Sequence, residues 1–130
     1  MPRQKSRVFT EVELEFMQVI WRLGESTPDD LRSALSEQGR HISVGSIRNM
    51  LGIMMQKEYL IRRKNGKAFL YRAKIHKDKA RKTMIQDLLT SAFDGSESLV
   101  VAALLDRNDI RREELDEIKR IIDDSERKKR

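Results

Sequence analysis

The chain has 130 residues, of which 37% are charged and 5% aromatic, and it carries a formal net charge of +6. That length and makeup fit one domain, or one small domain with an appendage, around a thin core of Leu, Ile, Val and Met. There is no Cys, which removes disulfides and thiolate chemistry; His41 and His76 have no metal-binding companions; and no apolar run reaches the roughly 20 residues of a membrane span.

Residues 1–8 are basic and lack the apolar segment of a secretion signal, so they read as a flexible arm on a cytoplasmic protein. The first helix opens on a capping box, with Thr10 as N-cap and Glu13 at N3, and Phe9 and Leu14 are placed as a hydrophobic staple. Leu14, Met17 and Trp21 follow at helical spacing with Ile20 beside them, and Gly24 offers a stop. Thr27 caps a second helix, Pro28 takes its first position, and Asp29 and Asp30 suit the positive first turn. Leu31, Ala34 and Leu35 supply its buried stripe before Gly39 ends it. The acids on both helices argue for scaffold and against phosphate contact.

A third helix begins at Ser43 and runs to about Lys57. Ile47, Leu51 and Met54, with Met50 beside them, form its inward face. Gly45, Ser46, Arg48, Asn49, Gly52 and Gln56 face the other way. Each helical glycine costs about 1 kcal/mol relative to Ala, which makes sense where a backbone must come close to a partner. Leu60–Lys64 and Lys67–Arg72 then alternate as two strands around Asn65-Gly66, a two-residue turn signal. Counted outward from that turn, Lys64 pairs with Lys67, Arg62 with Phe69 and Leu60 with Tyr71. Leu60, Phe69 and Tyr71 share the core face, while Arg63, Lys64 and Lys67 mark the tip. Opposed lysines destabilise a hairpin, and an anionic partner would relieve them.

Charge and pattern coincide here. Residues 40–74 hold nine Lys or Arg against the single acid Glu58, a net +8 that leaves −2 for the other 95 residues. A helix followed by a basic hairpin suits a DNA groove and backbone; the plainer alternative is a solvated basic surface.

From Ile75 onward the net charge is zero. A helix from about Asp78 to Phe93 carries Leu88, Leu89 and Phe93. Leu99 to Leu105, with Val100 and Leu104, is apolar on every side and calls for burial all round. A last helix, about Arg112 to Asp123, presents Leu115, Ile118 and Ile122, and residues 124–130 read as a charged disordered tail. Fifty residues with so few aromatics rarely hold their own core. A second copy of the chain would cover these side chains by two-fold symmetry; packing back on the N-terminal module is the alternative.

Three stretches together resemble the penicillinase-repressor family of bacterial regulators, the BlaI/MecI/CopY type. Thr10–Trp21 is similar to the family's first helix, Ser43–Leu51 to its recognition helix and Lys67–Tyr71 to its second wing strand. Phe93–Ser96 and Asn108–Leu115 also resemble its dimerisation region. The resemblance implies a mainly α fold with a small β-hairpin: a winged helix (helix-turn-helix plus wing) over 9–74 and a C-terminal helical dimerisation domain over 75–123. It implies a homodimeric, sequence-specific repressor of transcription on a palindromic DNA operator, with no enzymatic activity. By position, Ser46, Arg48 and Asn49 would enter the major groove, with Ser43 and Gly52 on the same surface. Arg63, Lys64 and Lys67 would hold phosphates or touch the minor groove. Arg48 would meet guanine or clamp a phosphate, Asn49 would meet adenine, and Ser46 would touch DNA or add a capping hydroxyl. A module binding an acidic protein is the competing expectation.

The chain departs from the family pattern at Ile53-Met54, where Arg-Leu is common. It departs again at Lys57-Glu58, where Lys-Gly commonly closes the helix, and at Leu70, a position often polar. The bond cleaved in some members falls here on Ala103-Leu104, and the copper-binding cysteines of another branch are missing. No residue therefore identifies a sensor, a protease partner, a metal or a cofactor. The paired acids Asp29-Asp30 and Asp123-Asp124 lie at helix ends and fit the helix dipole better than a metal-dependent nuclease.

Overall fold

The computed structural model describes residues 9–129, so the arm expected at 1–8 lies outside the described residues. The chain runs α1 (Glu11–Leu23), α2 (Pro28–Glu37), α3 (Val44–Gln56), β1 (Leu60–Asn65), β2 (Ala68–Ala73), α4 (Lys77–Ala92), α5 (Glu97–Leu105) and α6 (Arg112–Lys128). It divides into two compact units, one ending at Asp87 and the other starting at Leu88. The division falls inside α4, later than the change in composition after Lys74. Two contacts hold the start of α4 in the first unit: the Trp21 indole N–H donates to the Ile75 carbonyl at 3.0 Å, and Ala80 is buried.

Both early helices begin as their sequences dictate. Thr10 Oγ1 accepts from the Glu13 N–H at 3.1 Å while Glu13 Oε1 accepts from the Thr10 N–H at 2.8 Å. Thr27 and Asp30 repeat the box on α2 at 3.1 and 3.0 Å. The first unit's core gathers Phe16, Met17, Val19 and Ile20 of α1, Leu31, Ala34 and Leu35 of α2, Ile47, Leu51 and Met54 of α3, and Leu60 and Tyr71 of the hairpin. The buried stripe of α1 is therefore rotated from the expected Leu14–Met17–Trp21 line. Trp21 stays half-buried because its N–H must reach Ile75, and Phe9 packs edge-on against Trp21 and Tyr59, with ring centroids 6.0 and 4.6 Å away.

The hairpin differs in register from the one counted off Asn65-Gly66. Asn65 pairs with Ala68, Lys64 with Phe69, Arg62 with Tyr71 and Leu60 with Ala73, so the two-residue turn is Gly66-Lys67. Of these two only Gly66 takes positive φ, at 65°. The slide of two residues keeps Leu60, Phe69 and Tyr71 on one face, because side chains alternate with period two. It also sets Lys64 across from an aromatic ring and takes Lys67 off the ladder, which removes the expected lysine opposition.

Glu58 closes α3 where a glycine is favoured. It takes φ 65°, while the Tyr59 N–H bonds to the Met54 carbonyl and the Glu58 N–H to the Met55 carbonyl, each at 3.0 Å. These two bonds are a Schellman closure. A residue with a Cβ pays about 1 kcal/mol for that backbone, and the chain turns into β1 nonetheless.

The second unit is helical, and none of its described residues is fully buried. On α5, Leu99 and Leu104 are 50% and 49% exposed, so the burial its composition demands is not met within this unit. Helix α6 continues to Lys128, past the Asp123 at which a disordered tail was expected. The i,i+3 ion pair of Arg127 with Asp124 and the basic last turn, Arg127 and Lys128, favour that extra turn. No single described helix is long and apolar enough to cross a membrane.

Among the described residues Glu13 is the one buried carboxylate, at 2% exposure. Burial pushes its pKa up, but the Lys57 ammonium at 2.7 Å and the Thr10 amide outweigh burial and hold it below the ordinary 4.5. A depressed carboxylate stabilises the fold fully above its unfolded pKa and loses that contribution as pH falls through the folded value. Lys57→Met should thus cost about 2 kcal/mol at pH 7. The gap to the parent should narrow as pH falls below about 4.5, in denaturant melts followed across pH. A gap that stays constant with pH would remove Glu13 from this role.

Candidate nucleic-acid interface

Helices α2 and α3, joined by residues 38–43, form a helix-turn-helix, and the hairpin follows directly as its wing. The Ser43 side chain caps α3: its Oγ accepts from the Ser46 N–H at 3.1 Å and donates to Ser46 Oγ at 3.0 Å. Ser46 is thereby tied to the helix start, and it remains exposed. With Ile47, Leu51 and Met54 fully buried, helical geometry turns Gly45, Asn49, Gly52 and Gln56 directly away from the core, with Arg48 on one flank and Ile53 on the other. Arg48, Asn49 and Gly52 are all exposed, as anticipated for a surface that meets a partner.

The wing is tied to the scaffold by contacts that no local pattern announces. Ser26, wholly buried, pairs with Tyr71 as a third-strand bridge through N–H···O bonds of 2.9 and 2.8 Å. Arg62 lies over the Phe69 ring, 3.8 Å from its centroid, and donates to the Tyr71 hydroxyl at 3.1 Å. Arg63, expected on phosphate, instead clasps Glu25 in a two-pronged pair of 2.6 and 2.9 Å. That guanidinium holds the Glu25 carboxyl below the usual carboxylate range, with Arg72 adding to the effect through space.

The basic block is consequently less available than its count implies. Glu15 holds Arg40, Glu13 holds Lys57, Glu25 holds Arg63 and Glu58 holds Lys74. Three of those four acids come from α1 or the loop after it. Arg62 is stacked. Among the described residues, Arg48, Lys64, Lys67 and Arg72 make no hydrogen bond or ion pair with the protein. Arg72, on the outer face of β2 across from Ile61, was not singled out by sequence, although its alternation with Tyr71 places it there. Within residues 40–74 these four are the cations an outside anion can take without breaking a bond.

No cluster of His, Asp or Glu among the described residues could hold a metal. An open groove between α2 and the turn before α3 is lined by Arg32, Ser33, Ser36, Glu37, His41 and Ile42.

The second unit holds the residues expected at a dimer interface. Leu88, Leu99, Leu104 and Ile122 are exposed, and Leu89, Phe93, Val100, Leu115 and Ile118 are half-buried.

Comparison with known proteins agrees with the resemblance. An uncharacterised 16.5 kDa protein from the ptsI 3′ region of Latilactobacillus sakei is 23% identical over 119 residues, 92% of this chain and 81% of its own. The methicillin resistance regulatory protein MecI of Staphylococcus aureus is 20% identical over 118 residues, covering 91% of this chain and 95% of its own. A PadR-family transcriptional regulator from Eggerthella lenta aligns with a TM-score of 0.43 and 20% identity, over 75% of this chain and 89% of its own. Residues 9–124 match the family model of the penicillinase repressor. That match takes in both the helix-turn-helix with its wing and most of the second unit, and on it the chain belongs to the penicillinase repressor family of transcriptional regulators.

Proposed function

We propose that this protein is a homodimeric repressor that binds a palindromic DNA operator, each protomer reading one half-site with α3 and gripping the backbone with its wing. One observation carries the reading: α3 buries one face completely and presents the other, polar apart from Ile53, in the same unit as the four unpaired cations of residues 40–74. In this arrangement Arg48, Asn49 and Ser46 face base edges and Lys64, Lys67 and Arg72 hold phosphates, which separates sequence choice from sequence-blind affinity. Arg63 braces the wing through Glu25 in the free protein. The uncovered apolar residues of α5 and its neighbours support a second copy, and dimer geometry then sets the half-sites near one DNA turn or a small multiple apart.

Selection of bound sequences from a random duplex pool tests the whole reading, and a palindromic consensus is expected. Retention of all DNA alike would favour an acidic protein partner instead. Arg48→Ala should weaken the selected duplex by ~1–3 kcal/mol and relax base preference, whereas Lys64→Ala with Lys67→Ala should weaken every duplex equally and flatten the salt slope by about one unit per lost phosphate contact. The reverse pattern would mean that α3 is not the reading helix.

Glu25→Gln should leave the unfolding midpoint nearly unchanged, because the pair is solvent-exposed. It should free Arg63 for phosphate and steepen the salt slope by about 0.9; an unchanged slope would leave Arg63 a brace on DNA as well. Leu104→Asp should convert the dimer to a monomer in sedimentation velocity, and an unaltered profile would remove α5 from the interface.

A further inference from the structure

We infer that Ile53 is a specificity-determining residue that packs on the 5-methyl group of a thymine, next to a base read by Asn49. This rests on the DNA-binding reading above and adds a contact to it. A lone surface isoleucine is ordinary, but this one has an unusual setting. It is 38% exposed on the helix whose Ile47, Leu51 and Met54 are fully buried, so it belongs to the outward half of α3. Asn49 stands one turn before it, and i,i+4 neighbours lie side by side on a helix surface. Gly52 precedes it, and a Cβ built there meets no atom within 4 Å.

The chemistry of the surroundings selects the ligand. Arg48 flanks the same helix face, and Lys64, Lys67 and Arg72 stand unpaired in the same unit, so whatever docks here is anionic. An alkyl side chain inside an anion-binding surface needs an anionic polymer that offers an alkyl group. In the major groove that group is the thymine methyl, and a neighbouring adenine presents the N7 acceptor and N6 donor that suit an Asn carboxamide. Bare positions at Gly45 and Gly52 bracket Asn49 on its stripe and let the helix backbone come near the base edges. Neither glycine takes a positive φ and neither is packed against side-chain bulk, so nothing inside this chain requires them.

The experiment uses the full-length protein and the duplex it selects, with each thymine in turn replaced by deoxyuridine, a change that deletes only the methyl group. At one thymine per half-site the parent protein should lose about fourfold in affinity, the worth of one buried methyl. Ile53→Ala should bind the unmodified duplex more weakly and be indifferent to that same replacement. Replacing the adjacent adenine by 7-deazaadenine should weaken the parent but not Asn49→Ala. Gly52→Ala should raise the melting temperature yet weaken the selected duplex at least tenfold, leaving unselected DNA unaffected. If no deoxyuridine position matters, or Ile53→Ala keeps the parent's sensitivity, the Ile53 contact is overturned while DNA binding stands. A pool that yields no consensus at all overturns both.

Discussion

Glu13 joins the two helices that matter most for orientation. One of its oxygens completes the capping box at the start of α1 and the other binds Lys57 at the C-cap of α3, 2.7 Å away. A carboxylate with so little exposure is tolerable only when its charge is answered and its lone pairs are used. Here one side chain satisfies an orphan helix donor and pins the far end of α3 to the scaffold. Ile47, Leu51 and Met54 then fix the helix's rotation about its own axis. With both its end and its roll determined, the outward stripe of α3 has one available direction. What α3 presents to the outside follows from what the core demands of its inner face.

The same scaffold decides which charges reach the surface uncommitted. A net +8 over residues 40–74 describes a potential, but four of its nine cations are neutralised by specific acids on α1, in the loop before α2 and at Glu58. Because exposed pairs contribute little to stability, the three bridges other than Glu13–Lys57 act mainly as placement: Arg40 steadies the turn into α3, and Arg63 steadies the wing. The wing is further held by the Ser26–Tyr71 bridge and the Arg62 stack. It meets a ligand as a preformed surface, with less ordering entropy left to lose on contact.

What the sequence made legible was local. Capping boxes at Thr10 and Thr27, the Ser43 cap and the inward line of α3 all depend on residues within one or two turns, and all stand where spacing places them. Non-local partners overruled the rest. Asn65-Gly66 carries the stronger turn signal in isolation, yet Lys64 gains an aromatic neighbour and Lys67 leaves the ladder when the strands slide by two. Glu58 holds a left-handed backbone because the two Schellman hydrogen bonds and the entry to β1 leave no other route. The pairing of Arg63 with Glu25 joins residues far apart in sequence, and no periodicity points to it. Arg48, Asn49 and Gly52 stand exposed, as spacing predicts, because a helix has only one side opposite its core. Ile53 is a departure in sequence whose exposure no spacing rule announces.

The second unit completes the argument by what it lacks. α5 is apolar around its whole circumference, and Leu99 and Leu104 remain about half exposed. Exposed alkyl area of that kind is worth roughly 25 cal/mol per Å2 once covered. In the homodimer we propose, two copies related by a two-fold axis would cover identical patches with each other. Affinity for a palindrome would then be a property of the pair, because α3 carries one arginine and a few short polar groups. On that reading a helix so sparsely charged gains selectivity from base edges, and the strength of binding comes from the wing cations and from the second copy.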